Sequence, residues 1–129
     1  MTQEEKDLLL KDLCARLPYG VKISVDDKVE TVQGINILDT VVEYDSWLSS
    51  DIEEIKPYLF PLSSMTEEQR KEYDKIIYHS VELHCERYYD VIDVDSCDEL
   101  HDFYHKNHFD YRGLIPMGLA LDATGLNIY

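Results

Sequence analysis

Leucines at positions 9, 10, 13 and 17, with Leu8 beside them, recur at the three-and-four spacing that lines one face of a helix. Thr2-Gln3-Glu4-Glu5 ahead of them fits a capping box, in which the Thr2 hydroxyl accepts from the Glu5 N–H and Glu5 reaches back. Pro18 and Gly20 stop the run, so the pattern predicts an amphipathic helix over 3–16. The period then changes to two. Val21, Ile23 and Val25 alternate with Lys22 and Ser24, Asp26-Asp27 makes a turn, and β-branched residues dominate 29–38 and 40–44. Gly34 marks a bulge or bend in the second strand. Three antiparallel strands in a meander is the economical reading.

The stretch 46–65, "SWLSSDIEEIKPYLFPLSSM", is punctuated by Pro57 and Pro61 and predicts an irregular connector, with Tyr58-Leu59-Phe60 as at most a short strand. Thr66-Glu67-Glu68-Gln69 is a second capping box, opening a helix whose apolar face is Tyr73, Ile76, Ile77 and Val81. Residues 88–96 read as a fourth short strand. A third box, Ser96-Cys97-Asp98-Glu99, starts a helix carrying three of the five histidines. Gly113, Pro116 and Gly118 break residues 111–129 into a short helical turn and an extended tail. With no repeat and no linker, 1–129 reads as a single domain. The fold class expected is α+β: an N-terminal helix, a three- to four-stranded antiparallel meander, and two or more C-terminal helices on one face.

Charge narrows the possible partners. Twelve Lys and Arg stand against 27 Asp and Glu, a net charge of −15. Each of the stretches 1–30, 31–60, 61–90 and 91–129 is net negative, so the acidity is not a detachable tail. Such a field repels nucleic-acid phosphate and anionic lipid, which argues against direct nucleic-acid or membrane binding. It leaves a solvated acidic surface, one that meets a basic protein, or one that imitates nucleic acid. The N-terminus has acids where a secretory signal needs bases, and no apolar run is long enough to span a membrane. Cys14, Cys85 and Cys97 are odd in number and form no CxxC pair, so a cytoplasmic setting with reduced thiols is expected.

The candidate chemistry sits in "HDFYHKNH", 101–108. On a helical wheel, Leu100, Phe103 and Tyr104 form the buried stripe, with Asn107 near it. His101, His105 and His108 fall about 80–140° away, on one shoulder, with Asp98 beyond them. Spacing of i, i+4, i+7 can bring three imidazoles to one Zn²⁺, with Asp98 orienting one of them. The same shoulder is where amphipathic side chains sit for ordinary packing, and no HExxH string accompanies the cluster. Packing is the favoured reading, with no metal. Cys97 at the helix start has a nucleophile's position, but its wheel angle turns it toward the buried stripe.

Other motifs fail. In "DVIDVDSCDEL", Asp93 and Asp95 fit the first ligand positions of a calcium loop. Asp98 then stands where glycine is needed and Tyr104 where the bidentate Glu belongs. The chain has no glycine-rich phosphate loop and no nucleophile elbow, and Glu53-Glu54 and Glu67-Glu68 read as solvated charges. No catalytic dyad emerges. Ten tyrosines are the remaining oddity, and Tyr88-Tyr89 with Tyr104 could form an interface patch.

Three strings carry a resemblance: "KDLLLKDLCARLPYGVKI" at Lys6–Ile23, "KPYLFPLSSMTEEQ" at Lys56–Gln69, and "HFDYRGLI" with "GLALDA" within His108–Ala123. Together they cover a little over a third of the chain. In these it resembles a family of small acidic uncharacterised proteins from anaerobic gut bacteria and their mobile elements. The resemblance implies a cytoplasmic accessory protein and carries over no catalytic residue. The expectation is a non-catalytic protein-binding module with an acidic, tyrosine-rich surface and a basic protein partner. A histidine metal site and a nucleic-acid mimic acting on a DNA-binding host or defence protein are the alternatives.

Overall fold

The computed structural model describes residues 1–45, 48–85 and 98–129. The fourth strand expected over 88–96, the Ser96 cap, Cys97, the Tyr88-Tyr89 pair and the Val81 side chain lie outside them. Helix α1 (Gln3–Arg16) spans the residues its leucine spacing predicts. Thr2 accepts the Glu5 N–H at 3.1 Å and its hydroxyl donates to the Glu5 carboxylate at 3.2 Å. A 3-10 turn, Leu17–Tyr19, ends on Gly20 in the left-handed conformation (φ +70°), which glycine adopts without a Cβ penalty.

The meander comes next as β1 (Lys22–Val25), β2 (Lys28–Asn36) and β3 (Val41–Tyr44), each antiparallel to its successor. Asp26 and Asp27 both take positive φ, as a tight two-residue hairpin turn requires. The register shifts between Val32 and Gly34, where the glycine predicts a bulge. One face packs inward: Ile23, Val25, Val32, Val42 and Tyr44 are buried together with Leu9 and Leu13 of α1.

The connector is not irregular. It supplies β4 (Leu48–Asp51), paired with β3, and β5 (Lys56–Pro61), paired with β1. Pro57 and Leu59 point into the core while Tyr58 and Phe60 are half-buried, so one proline occupies an inward position of an alternating strand. Each proline removes one N–H from the ladder but leaves extended backbone intact. The Leu59–Phe60 peptide is used on both sides. Its carbonyl accepts from Ala123 N–H and its N–H donates to the His108 carbonyl, both at 2.8 Å. The two groups of a trans peptide point opposite ways. Hence β6 (Phe109–Asp110) and β7 (Leu121–Asp122), both parallel to β5, flank it on opposite edges. The strand order is β4-β3-β2-β1-β5-β6, with β7 also on β5, and these late additions take the sheet past three or four strands.

Helices α2 (Glu67–Cys85) and α3 (Asp98–Lys106) complete the α+β fold. The Thr66 box forms in full: Gln69 N–H donates to the Thr66 hydroxyl at 3.2 Å and Thr66 N–H to the Gln69 side chain at 2.9 Å. Leu100, Phe103 and Tyr104 are buried as the wheel predicts, and with Phe109 they make a second apolar cluster against Phe60, Met65, Tyr73, Ile76 and Ile77. Among the described residues, no helix is long and apolar enough to cross a membrane.

Candidate functional site

A polar knot joins α1, α3 and the segment after α3. Residues 9, 12, 13 and 16 share one face of α1, so Asp12 and Arg16 are carried into the interior beside Leu9 and Leu13. Arg16 Nε donates to Asp12 Oδ2 at 2.8 Å, and its Nη2 donates to the Phe109 carbonyl. Arg112 Nε takes the other carboxylate oxygen at 3.1 Å, so one buried acid serves two guanidinium groups. The Tyr111 ring lies 4.8 Å from the Arg112 guanidinium carbon and 5.6 Å from that of Arg16, within cation–π range. Sequence reasoning missed this knot, although a charged i, i+4 pair in register with the buried leucines was the signal for it.

The sequence-predicted histidines separate around this knot. His101 is half-buried and stacks on Tyr111 at 5.5 Å, with the His105 ring 6.2 Å away. His105 is buried and shares a 2.8 Å hydrogen bond between Nε2 and the Tyr111 hydroxyl. His108 has left the helix: its φ is +60° and its ring lies flat on Tyr129, 3.6 Å between centroids. Asp98 is exposed at the start of α3. His101 and His105 are therefore brought together and His108 is turned elsewhere. Among the described residues, no group of three His, Cys, Asp or Glu side chains is placed to hold a metal ion.

Burial governs the chemistry of these groups. It pushes His105 and His108 down to about 4, with the Arg16 guanidinium adding to the effect in both, so each imidazole is neutral at neutral pH. Burial also pushes Tyr129 up to about 12 and raises Tyr111 and Cys14, keeping them protonated. Tyr129 fastens the tail, its hydroxyl accepting from Lys22 N–H at 2.9 Å and donating to the Tyr58 carbonyl at 2.7 Å. Two buried atoms, Arg16 Nη1 and His108 Nδ1, find no hydrogen-bond partner among the described residues. Of the two places the sequence offers Tyr104, the buried stripe and a tyrosine patch, it takes the first, buried and stacked on Tyr111 at 4.8 Å. The helical aromatic stripe took it inward. Stacked rings around the Asp12–Arg16–Arg112 cluster tie α1 to α3 and the segment after it.

The outward-facing chemistry lies elsewhere. Residues 26–54 carry nine carboxylates against a single lysine, and all of these acids except Glu30 are exposed. At one end of this acidic sheet the β2–β3 turn holds Ile37 at 63% and Leu38 at 95% exposure. The turn is fixed by its neighbours: Asp39 N–H donates to Asn36 Oδ1 at 3.2 Å and Asn36 Nδ2 donates to the Asp39 carboxylate at 3.1 Å. The Thr40 carbonyl ties it to the residue just after β4 by accepting from Ile52 N–H at 3.0 Å. No protein-family model, curated protein or solved structure matches the chain.

Proposed function

We propose that this chain is a non-catalytic cytoplasmic module that binds a basic protein partner through its acidic sheet. The observation that carries the reading is the set of eight exposed carboxylates over 26–54, most of them in the turns that join β1 to β4 and just after β4, with Lys28 as that stretch's one cation and Lys6 of α1 reaching in to Glu53 at 2.8 Å. Such a surface attracts a positively charged partner, speeds encounter and repels wrong ones. The resemblance to small acidic uncharacterised proteins of gut anaerobes and their mobile elements implies a cytoplasmic accessory protein, which this reading accommodates. The tyrosine part of the expectation narrows, because Tyr44 and Tyr104 are buried and of the eight described tyrosines only Tyr19, Tyr78 and part of Tyr129, whose hydroxyl is taken up by Lys22 and Tyr58, are exposed.

The test is isolation of the untagged protein from its own cells, with cross-linking and native mass spectrometry at low and high salt. A basic protein should co-migrate at about 0.05 M salt and be largely released at about 0.5 M, because exposed charges are screened as the Debye length shortens. A chain that runs alone at both salt concentrations ends the reading.

A further inference from the structure

The geometry points to the tip of the β2–β3 hairpin as the apolar anchor of this interaction: Ile37 and Leu38 enter a hydrophobic cleft on the basic partner, and the carboxylates around them meet its cations. This rests on the acidic-module reading and adds the place and chemistry of contact. The hydrogen bonds that fix the turn come from other residues than these two. Its backbone is held by Asn36, Asp39 and Thr40, residue types that make turns through their own hydrogen bonds, whereas isoleucine and leucine are unusual at such a position. Leu38 contributes no core contact at 95% exposure, so the fold leaves its apolar surface for another molecule. Because the tip is already tied, docking it orders little new chain.

The surroundings choose the occupant. Asp39 lies within the turn, and Asp51 pairs with Val41 across the β3–β4 ladder, with Glu54 just beyond and Glu53 beside it held by Lys6 of α1 at 2.8 Å. Apolar anchors inside a polar rim are the usual anatomy of a protein interface. A second copy would bring another −15 against this rim, and an anionic membrane would be repelled as well. A basic protein surface with an apolar cleft is the complement.

Two synthetic peptides of equal length and charge test this, an amphipathic lysine/leucine helix and a lysine/serine control, titrated into the isotope-labelled full chain and followed by NMR. The lysine/leucine peptide should bind more tightly and shift the amides of 36–41. Leu38→Ser, which keeps the net charge, should weaken it about tenfold or more while leaving the thermal midpoint unchanged. Leu48→Ser, at the other end of β4, should not. If both peptides bind equally and Leu38→Ser changes nothing, the anchor is overturned while the acidic module stands. If neither peptide binds, both readings fall. Sedimentation showing a dimer that Leu38→Ser dissolves would overturn the basic partner as the tip's occupant.

Discussion

Asp12 Oδ2 and Arg16 Nε lie 2.8 Å apart, one turn from each other on α1, with neither side chain reaching solvent. A buried ion pair of this kind adds little net stability, because desolvation offsets the attraction, but breaking it leaves a charge stranded. Arg16→Met should therefore cost about 3–5 kcal/mol, leaving Asp12 only the Arg112 contact and the Phe109 carbonyl without its donor. The double variant Asp12→Leu, Arg16→Met should lose less than the sum of the singles, with a coupling of at least about 1 kcal/mol. Urea unfolding of the four proteins measures this. Strict additivity would mean that the two charges are not one unit.

The histidines give the knot a pH dependence. His105 and His108 titrate near 4 when folded, against 6.5 when free, because burial and the Arg16 charge disfavour the imidazolium. As pH falls below 6.5 the unfolded chain takes up protons that the folded one refuses. The stabilisation is thus fully present above 6.5 and lost as pH falls through about 4. Its slope is at most about 1.4 kcal/mol per pH unit for each histidine. Urea midpoints measured between these limits should drop more steeply for the wild type than for His108→Asn, a residue that tolerates the left-handed backbone. The absolute stability of that variant falls with the lost Tyr129 stack, so the slope is the readout. An unchanged slope would mean that His108 is not held neutral.

What the sequence made legible was whatever short-range pattern decides. The leucine spacing and cap located α1, the alternation located β1, and the wheel located the buried stripe Leu100, Phe103 and Tyr104. What it hid depended on distant partners. Lys56–Pro61 is a strand because β1, β6 and β7 take up its edges, and two prolines masked the alternation. Of the histidine shoulder, His101 is half-buried as its wheel position implies, whereas His105 is drawn fully inside by Tyr111. His108 escaped because helix periodicity was carried past Lys106, where the chain turns left-handed. Ile37 and Leu38 looked like strand residues, and only the turn reveals that they face water.

Asp110 is buried in β6, and its two oxygens accept the N–H groups of Leu114 and Ile115 at 2.8 and 2.9 Å. That pair of bonds to the backbone shapes the loop that Gly113, Pro116 and Gly118 otherwise leave free, and it delivers Leu114, Leu119 and Ala120 to the main core. Asp110→Asn keeps the shape but turns one acceptor into a donor facing an N–H. It should cost about 1–3 kcal/mol, because one buried amide loses its acceptor. Hydrogen exchange at Leu114 or Ile115 should speed up more than at the β1 amides, since the loop opens before the sheet does. Asp110→Ala should accelerate exchange at both positions. Equal acceleration across the whole protein in Asp110→Asn would instead mean that the carboxylate holds the global fold and not this loop, placing Asp110 in the same cooperative unit as the Asp12–Arg16 pair.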